Sequence, residues 1–111
     1  MDKLRIINQA LEDIQLEDIM IFDMRESNPF FDFFLITSAR NPRQLSAAIR
    51  DVKAALSEHG FTIPKVEGSD SGWALVDCGD IVVNIFTKEE REYYNLEKMW
   101  LDIPKIDKDR L

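Results

Sequence analysis

This sequence of 111 residues contains a single cysteine and a single histidine, and each scarcity excludes a class of chemistry. Cys78 has no second cysteine to pair with, so an internal disulfide and a cysteine-based metal cluster are both excluded. A lone thiol suits a reducing compartment. His59 alone could serve a histidine-based triad, and its place beside Gly60 favours a role at a helix C-terminus instead.

The sequence also lacks an apolar run long enough to span a membrane, and acidic side chains already occur in its first residues, MDKLRIINQALEDI. Neither a signal peptide nor a membrane partner is therefore expected, and a cytoplasmic location is predicted. Basic residues are in deficit, with 14 against 21 acidic ones, a net charge of −7 and a pI near 4.6. Such a balance repels phosphate backbones, so DNA is not an expected partner and a basic protein is a better match.

The apolar pattern predicts one α/β (α+β) domain over residues 1–103, followed by a short charged tail at 104–111 that is expected to fray. The predicted order of elements is helix, strand, strand, helix, strand, strand, strand, helix. This order builds a mixed sheet of about five strands with helices packed on it. Asn41-Pro42 predicts the start of the longest helix and His59-Gly60 its end.

Two local signals refine this order. Pro64 limits the strand after the longest helix to a short or edge strand. Thr87 to Glu90 has the form of a capping box for the last helix, which is expected to bend at Asn95. Most aromatic residues after Arg91 are expected to dock that helix on the sheet, Trp100 among them.

The segment Gly72 to Phe86, GWALVDCGDIVVNIF, predicts a β-hairpin whose two faces differ in chemistry. Gly79-Asp80 suits a two-residue turn, which would set Trp73 opposite Phe86. One face is then apolar throughout and suits burial under a helix: Ala74, Val76, Cys78, Ile81, Val83 and Ile85. The other face mixes a carboxylate and an amide with large apolar side chains: Trp73, Leu75, Asp77, Val82, Asn84 and Phe86. Such a composition is typical of a surface that binds a partner.

We predict that the mixed face and its turn bind a partner through Trp73, Leu75, Asp77, Asp80, Val82 and Asn84. Trp73 and Leu75 would be apolar anchors, and the two aspartates would meet positive charge. Cross-strand packing is an equal alternative for Trp73, and turn formation is the simpler role for Asp80. Cys78 is expected to be a small core residue.

The hairpin and the residues after it resemble the ribosomal silencing factor family, also called RsfS or Iojap. The resemblance rests on Trp73, the turn Asp77-x-Gly79-Asp80, the apolar strand ending at Phe86 and the segment REYYNLEKMW, Arg91 to Trp100. It reaches back through FLITS, Phe34 to Ser38, and Asp18-Ile19 to Leu4, and so covers nearly the whole chain. The family often has an aromatic residue or leucine at the position of Cys78 and a histidine at that of Asn84.

The resemblance implies a nucleotidyltransferase-like fold and a small protein that is not an enzyme and needs no cofactor. It further implies binding to the large ribosomal subunit through ribosomal protein number fourteen, which hinders association with the small subunit. On the hairpin interpretation, the departure at Cys78 is a change in the core, whereas the departure at Asn84 alters the contact face.

Two functions of other classes stay open. A Mg²⁺-dependent nucleotidyltransferase would need a Gly-Ser loop and two carboxylates one residue apart on a strand, to hold the metal and the transferring phosphate. Gly68-Ser69 supplies such a loop, but Asp77 and Asp80 are three residues apart across a turn, so neither catalytic residues nor a metal site is predicted. A dimeric interaction module is the other function, since a mixed face could also join two copies of the free protein.

A local cluster of basic residues leaves a minor contact with ribosomal RNA open. The cluster consists of Arg40, Arg43, Arg50 and Lys53, which could share part of the surface of the longest predicted helix. Asp51 and Glu58 dilute its positive charge, so an ordinary solvated face is the simpler interpretation.

Overall fold

A computed structural model describes residues 2–68 and 70–111 of the chain. The elements follow in the order α1 (Asp2–Asp13), β1 (Glu17–Asp23), β2 (Phe33–Ala39), α2 (Pro42–Glu58), β3 (Lys65–Glu67), β4 (Trp73–Asp77), β5 (Ile81–Thr87), α3 (Lys88–Tyr94), a 3₁₀ helix (Leu96–Trp100), β6 (Lys105–Ile106) and a second 3₁₀ helix (Lys108–Arg110). The strands form one sheet in the order β3-β4-β5-β2-β1-β6. Only the β2–β5 pair is parallel within it. The predicted α+β class and mixed sheet are confirmed.

Helices α1 and α2 pack on one face of this sheet, because each presents one apolar stripe to it. The buried side chains of these stripes include Leu4, Ile7 and Leu11 of α1 and Leu45, Val52 and Leu56 of α2. The predicted ends of α2 are confirmed: the Asn41 side chain accepts a hydrogen bond from Gln44 N at 2.8 Å, and His59 is the C-cap. His59 Nδ1 lies 2.8 Å from Ala55 O, as expected for a helix C-terminus.

The opposite face of the sheet, the outer face, has its own smaller core of Phe22, Met24, Ile36 and Phe86. Leu96 and Trp100 of the 3₁₀ helix 96–100 pack against this core. Asn95, with φ +48°, separates α3 from this 3₁₀ helix, which confirms the predicted bend.

The last helix begins at Thr87 as predicted, but neither hydrogen bond of the predicted capping box forms. Thr87 is the N-cap of α3, but its side chain makes no cap hydrogen bond. Its backbone N–H donates instead to Gly72 O at 2.8 Å. The N–H that the Glu90 side chain would need is therefore already used, because the residue that begins the helix also ends β5.

The expectation that residues 104–111 fray is wrong, and the sheet has six strands because these residues supply the sixth. Lys105 and Ile106 pair with Phe22 and Ile21 of β1, and Pro104 O accepts a hydrogen bond from Asp23 N at 2.8 Å. Ile106 also packs against the main core. A strand of two residues among charged neighbours is too short to show the alternation by which strands are predicted from sequence.

Gly68, in the loop before β4, and Gly60, after α2, have similar φ values of +74° and +81° but different surroundings. A Cβ at Gly68 would lie 2.7 Å from Trp73 O, whereas one at Gly60 would have no atom within 4 Å. Gly68→Ala should lower the free energy of unfolding by about 3 kcal/mol and Gly60→Ala by about 1 kcal/mol. Urea denaturation measures both. Equal losses would show that the Gly68 loop adjusts without cost.

Candidate functional site

The β4–β5 hairpin has the register that the sequence predicts. Trp73 pairs with Phe86 and Asp77 with Val82, and Cys78 N donates to Ile81 O at 2.9 Å. Every residue of the predicted apolar face is buried in the main core. Burial raises the pKa of the Cys78 thiol to about 12, so at neutral pH the thiol is protonated and a weak nucleophile. The core role predicted for Cys78 is confirmed.

Only part of the mixed hairpin face is accessible, which corrects the predicted surface at Val82 and Asn84. Each of these two residues is 2% exposed. Asn84 Oδ1 accepts a hydrogen bond from Trp73 Nε1 at 3.1 Å, and Asn84 Nδ2 donates to Leu35 O at 3.4 Å. The amide therefore satisfies internal groups, because β5 is a central strand and its outer face is covered. Direct contact of Val82 or Asn84 with a partner conflicts with this burial.

Trp73 and Leu75 lie at the border of the covered area, and both are partly exposed. The Trp73 ring stacks on Phe86 with 5.0 Å between ring centroids, and the Tyr94 ring lies 4.6 Å away on the same measure. The predicted cross-strand packing of Trp73 is therefore confirmed, and these contacts fix the orientation of the exposed part of its ring. The role of Trp73 and Leu75 as anchors for a partner stays a prediction.

Asp77 and Asp80 both shape the hairpin turn. Asp77 Oδ1 accepts a hydrogen bond from Gly79 N at 2.9 Å, as Asp side chains in turns often do. Asp80 Oδ1 lies 3.0 Å from Lys3 Nζ, and the Asp80 side chain is 53% exposed. Lys3 Nζ also donates to Cys78 O, so the lysine ties α1 to the turn. Asp80 occupies the turn, but its carboxylate pairs with Lys3 and stays accessible, while Asp77 makes the hydrogen bond within the turn.

The turn lies at the end of the sheet where β1 and β4 end and where β2 and β5 begin. Four carboxylates at these strand ends, Asp23, Asp32, Asp77 and Asp80, form what we call the acidic edge. Asp32 N donates to Asp80 O at 2.7 Å, which joins the start of β2 to the turn. Arg25 Nη2 lies 2.7 Å from Asp23 Oδ2, and this hydrogen-bonded guanidinium lowers the pKa of Asp23. Lys3, Arg25 and Lys65, which pairs with Asp77 across the β3–β4 ladder, offset three of the four negative charges, so the edge keeps a net charge of −1.

An exposed apolar patch lies on the layer that covers the outer face. Its members are Tyr93 (81% exposed), Tyr94 (44%), Met99 (74%) and Leu101 (72%). Tyr93 meets Tyr94 edge-on at 5.1 Å between ring centroids, and Tyr94 in turn contacts Trp73, so the patch continues to the hairpin.

The sequence analysis missed this patch because it assigned most of the aromatic residues here to docking. Adjacent helical residues point in different directions, so Tyr93 and Tyr94 cannot both face the sheet. The same reasoning applies to Met99 beside Trp100. Trp100 docks as expected, with its ring centroid 5.3 Å from Phe22 and 5.1 Å from Phe34. The two pairs of adjacent large residues, Tyr93–Tyr94 and Met99–Trp100, were the sequence signal that could have predicted exposed apolar side chains here.

Arg91 attaches this layer to the sheet, and the sequence analysis did not identify that role. The residue is 9% exposed. Arg91 Nη1 donates to Asp18 O at 2.7 Å and to Ser38 Oγ at 2.9 Å. Arg91 Nη2 and Nε donate to Glu97 Oε2 at 2.9 and 3.2 Å. One guanidinium thus joins α3 to β1, β2 and the 3₁₀ helix 96–100.

Within residues 2–68 and 70–111, no three or more His, Cys, Asp and Glu side chains are placed to hold a metal ion. Ser69 of the Gly-Ser loop lies outside the described residues. No helix in the described part of the chain is long and apolar enough to cross a membrane.

The fold and this surface define a small α+β protein whose accessible surface includes an apolar patch and an acidic edge. The family model described as "Ribosomal silencing factor during starvation" matches residues 1–111. The chain belongs to this family, as the resemblance predicted.

Individual relatives agree with this assignment. The ribosomal silencing factor RsfS of Bacillus subtilis is 43% identical over 107 residues, which are 96% of this chain and 91% of that protein. A crystal structure of a Chromobacterium violaceum protein is 33% identical, with a TM-score of 0.84 over 89% of this chain and 83% of that one. A mouse protein named mitochondrial assembly of ribosomal large subunit protein 1 is 31% identical over 75% of this chain and 38% of its own length.

The contacts of Arg91 generate the second prediction. Arg91→Lys should lower the free energy of unfolding by about 2 to 3 kcal/mol, because one ammonium cannot replace a fork that bonds Asp18, Ser38 and Glu97 together. Arg110→Lys is the matched control, since the Arg110 side chain is 87% exposed. Urea denaturation of both variants measures the difference. An Arg91→Lys midpoint equal to that of the control would contradict the anchoring role.

Proposed function

We propose that this protein is a translational repressor that binds the large ribosomal subunit through ribosomal protein number fourteen and blocks association with the small subunit. Membership of the ribosomal silencing factor family supports a role on the ribosome. The name of the mouse relative supports the large subunit as the partner. The proposal implies a protein of the cytoplasm, where ribosomal subunits join.

The observation that carries the proposal is the exposed apolar patch, and the acidic edge of the same domain adds to it. Large rigid apolar side chains supply most of the binding energy at protein interfaces, and Tyr and Trp are common among them. Complementary charge at the rim accelerates association and sets orientation. Ribosomal proteins are generally basic, so an acidic edge suits such a partner.

The patch is also held in one conformation before binding. Arg91 fixes α3 and the 3₁₀ helix 96–100, while Tyr94 rests against the stacked pair of Trp73 and Phe86. A rigid surface loses little conformational entropy when it binds. Binding of this kind needs no catalytic step and no cofactor, since exclusion of the small subunit requires only occupied space. A homodimer of the free protein could shield the same patch until a large subunit is met.

The patch predicts a specific pattern of binding defects. Met99→Asp and Leu101→Asp should each weaken binding to purified large subunits at least about tenfold, because each places a charge where an apolar contact forms. Ile63→Asp is the matched control, since Ile63 is 61% exposed but lies before β3, away from the patch. Sedimentation binding with folded variants measures the affinities. Equal affinities for the Met99 and Ile63 variants would remove the patch from the interface.

The mechanism predicts that repression depends on the order of addition. The protein should reduce the yield of joined ribosomes when mixed with separated subunits, and should do much less when added to ribosomes already joined. A higher concentration of small subunits should relieve the block, because competition follows mass action. The joined fraction on a sucrose gradient is the measurement. Stable binding to fully joined ribosomes without loss of joining would contradict steric exclusion.

A further inference from the structure

The segment 40–58 is the one stretch of this acidic chain with a clear positive charge. It carries the four basic residues Arg40, Arg43, Arg50 and Lys53 and the two acidic residues Asp51 and Glu58, which is a net +2. Since the whole chain has a net charge of −7, the remaining residues carry −9. An excess of cations in such a background needs a physical explanation.

The structure separates the two signs onto different flanks of α2. Asp51 and Glu58 line the groove between α1 and α2. Arg43 and Arg50 are seven residues apart, which is about two turns, and Lys53 follows one turn later. None of these three residues lines that groove, so they lie on the side of α2 outside it, which we call the basic flank. Asp51 stands between the cations in the sequence but lines the groove instead.

The cations of the basic flank are largely free of internal partners. Arg43 and Lys53 form no ion pair with any described carboxylate. Arg50 Nε lies 3.4 Å from Asp51 Oδ1, but the Arg50 side chain is 75% exposed, so water screens that pair. Burial of the opposite stripe of α2 holds the backbone that carries them in place.

We propose that the basic flank of α2 binds phosphate groups of ribosomal RNA when the protein sits on the large subunit. The guanidinium of arginine matches phosphate in geometry and charge. The exposed Ser46 lies on the same flank, and hydroxyls are common donors to phosphate. The flank has no aromatic side chain on which a base could stack, so the contact is to the RNA backbone and not to the sequence.

The RNA contact is separate from the protein contact, because α2 and the apolar patch belong to opposite faces of the sheet. Helix α2 packs on the main core, whereas the patch lies on the layer that covers the outer face. The inference rests on the proposed function and adds a second, sequence-independent contact to it.

The test compares the salt dependence of large-subunit binding for the unchanged protein and the double variant Arg43→Ala, Arg50→Ala. Each phosphate contact contributes about 0.7 to 0.9 to the slope of log affinity against log salt. The double variant should therefore lower this slope by about 1.5 and weaken binding at low salt. Arg110→Ala is the control and should leave the slope unchanged. Binding with an unchanged slope in the double variant would overturn this inference alone, whereas no binding of the unchanged protein would overturn it together with the proposed function.

A second measurement identifies the source of the phosphate. Cys78 is the only cysteine and is buried, so Ser46→Cys adds one accessible thiol for an iron chelate that generates hydroxyl radicals. On large subunits, radicals from this position should cleave ribosomal RNA, and the Arg43→Ala, Arg50→Ala changes should reduce the cleavage. Absence of RNA cleavage would overturn the proposal. Binding of the unchanged protein to vesicles containing phosphatidylserine, lost in the double variant, would assign the flank to lipid headgroups and would overturn it as well.

Discussion

The buried guanidinium of Arg91 is the interaction on which the accessible surface of this domain depends. A charge can leave water only if hydrogen bonds and a counter-ion replace its hydration. Asp18 O, Ser38 Oγ and the Glu97 carboxylate supply that replacement. The bonds join three separate parts of the chain, so α3 and the 3₁₀ helix 96–100 have one position on the sheet. Every exposed side chain of the apolar patch takes its place from that position.

The backbone around Arg91 is shaped to make these bonds. The β1–β2 register shifts between Glu17 and Met20, and Asp18 there has φ +50°. Such a bulge releases a carbonyl from the ladder, and Asp18 O is the carbonyl that Arg91 uses. Asn95, with φ +48°, reverses the chain so that Glu97 returns to the same guanidinium. Asp and Asn tolerate this conformation better than most residues, which limits its cost.

The remaining surface divides by charge, and this division gives the domain its functional character. Carboxylates collect at the edge where the hairpin turns, while the cations of α2 lie on its basic flank. A partner built from basic protein and phosphate, as a ribosomal subunit is, matches both surfaces. The net charge of the chain averages over both surfaces, so it does not show that segment 40–58 is locally positive.

Local signals in the sequence determined the hairpin register, the ends of α2, the bend at Asn95 and the core role of Cys78, because turn and cap chemistry acts between near neighbours. Tertiary structure decided the rest. Val82 and Asn84 share the face of Trp73, yet a central strand under a covering layer leaves them buried. Residues 105–106 form a strand only because β1 offers an unpaired edge. The role of Arg91 and the division of charge on α2 likewise depend on which elements pack together. The pattern of apolar and polar residues along the chain does not specify those neighbours.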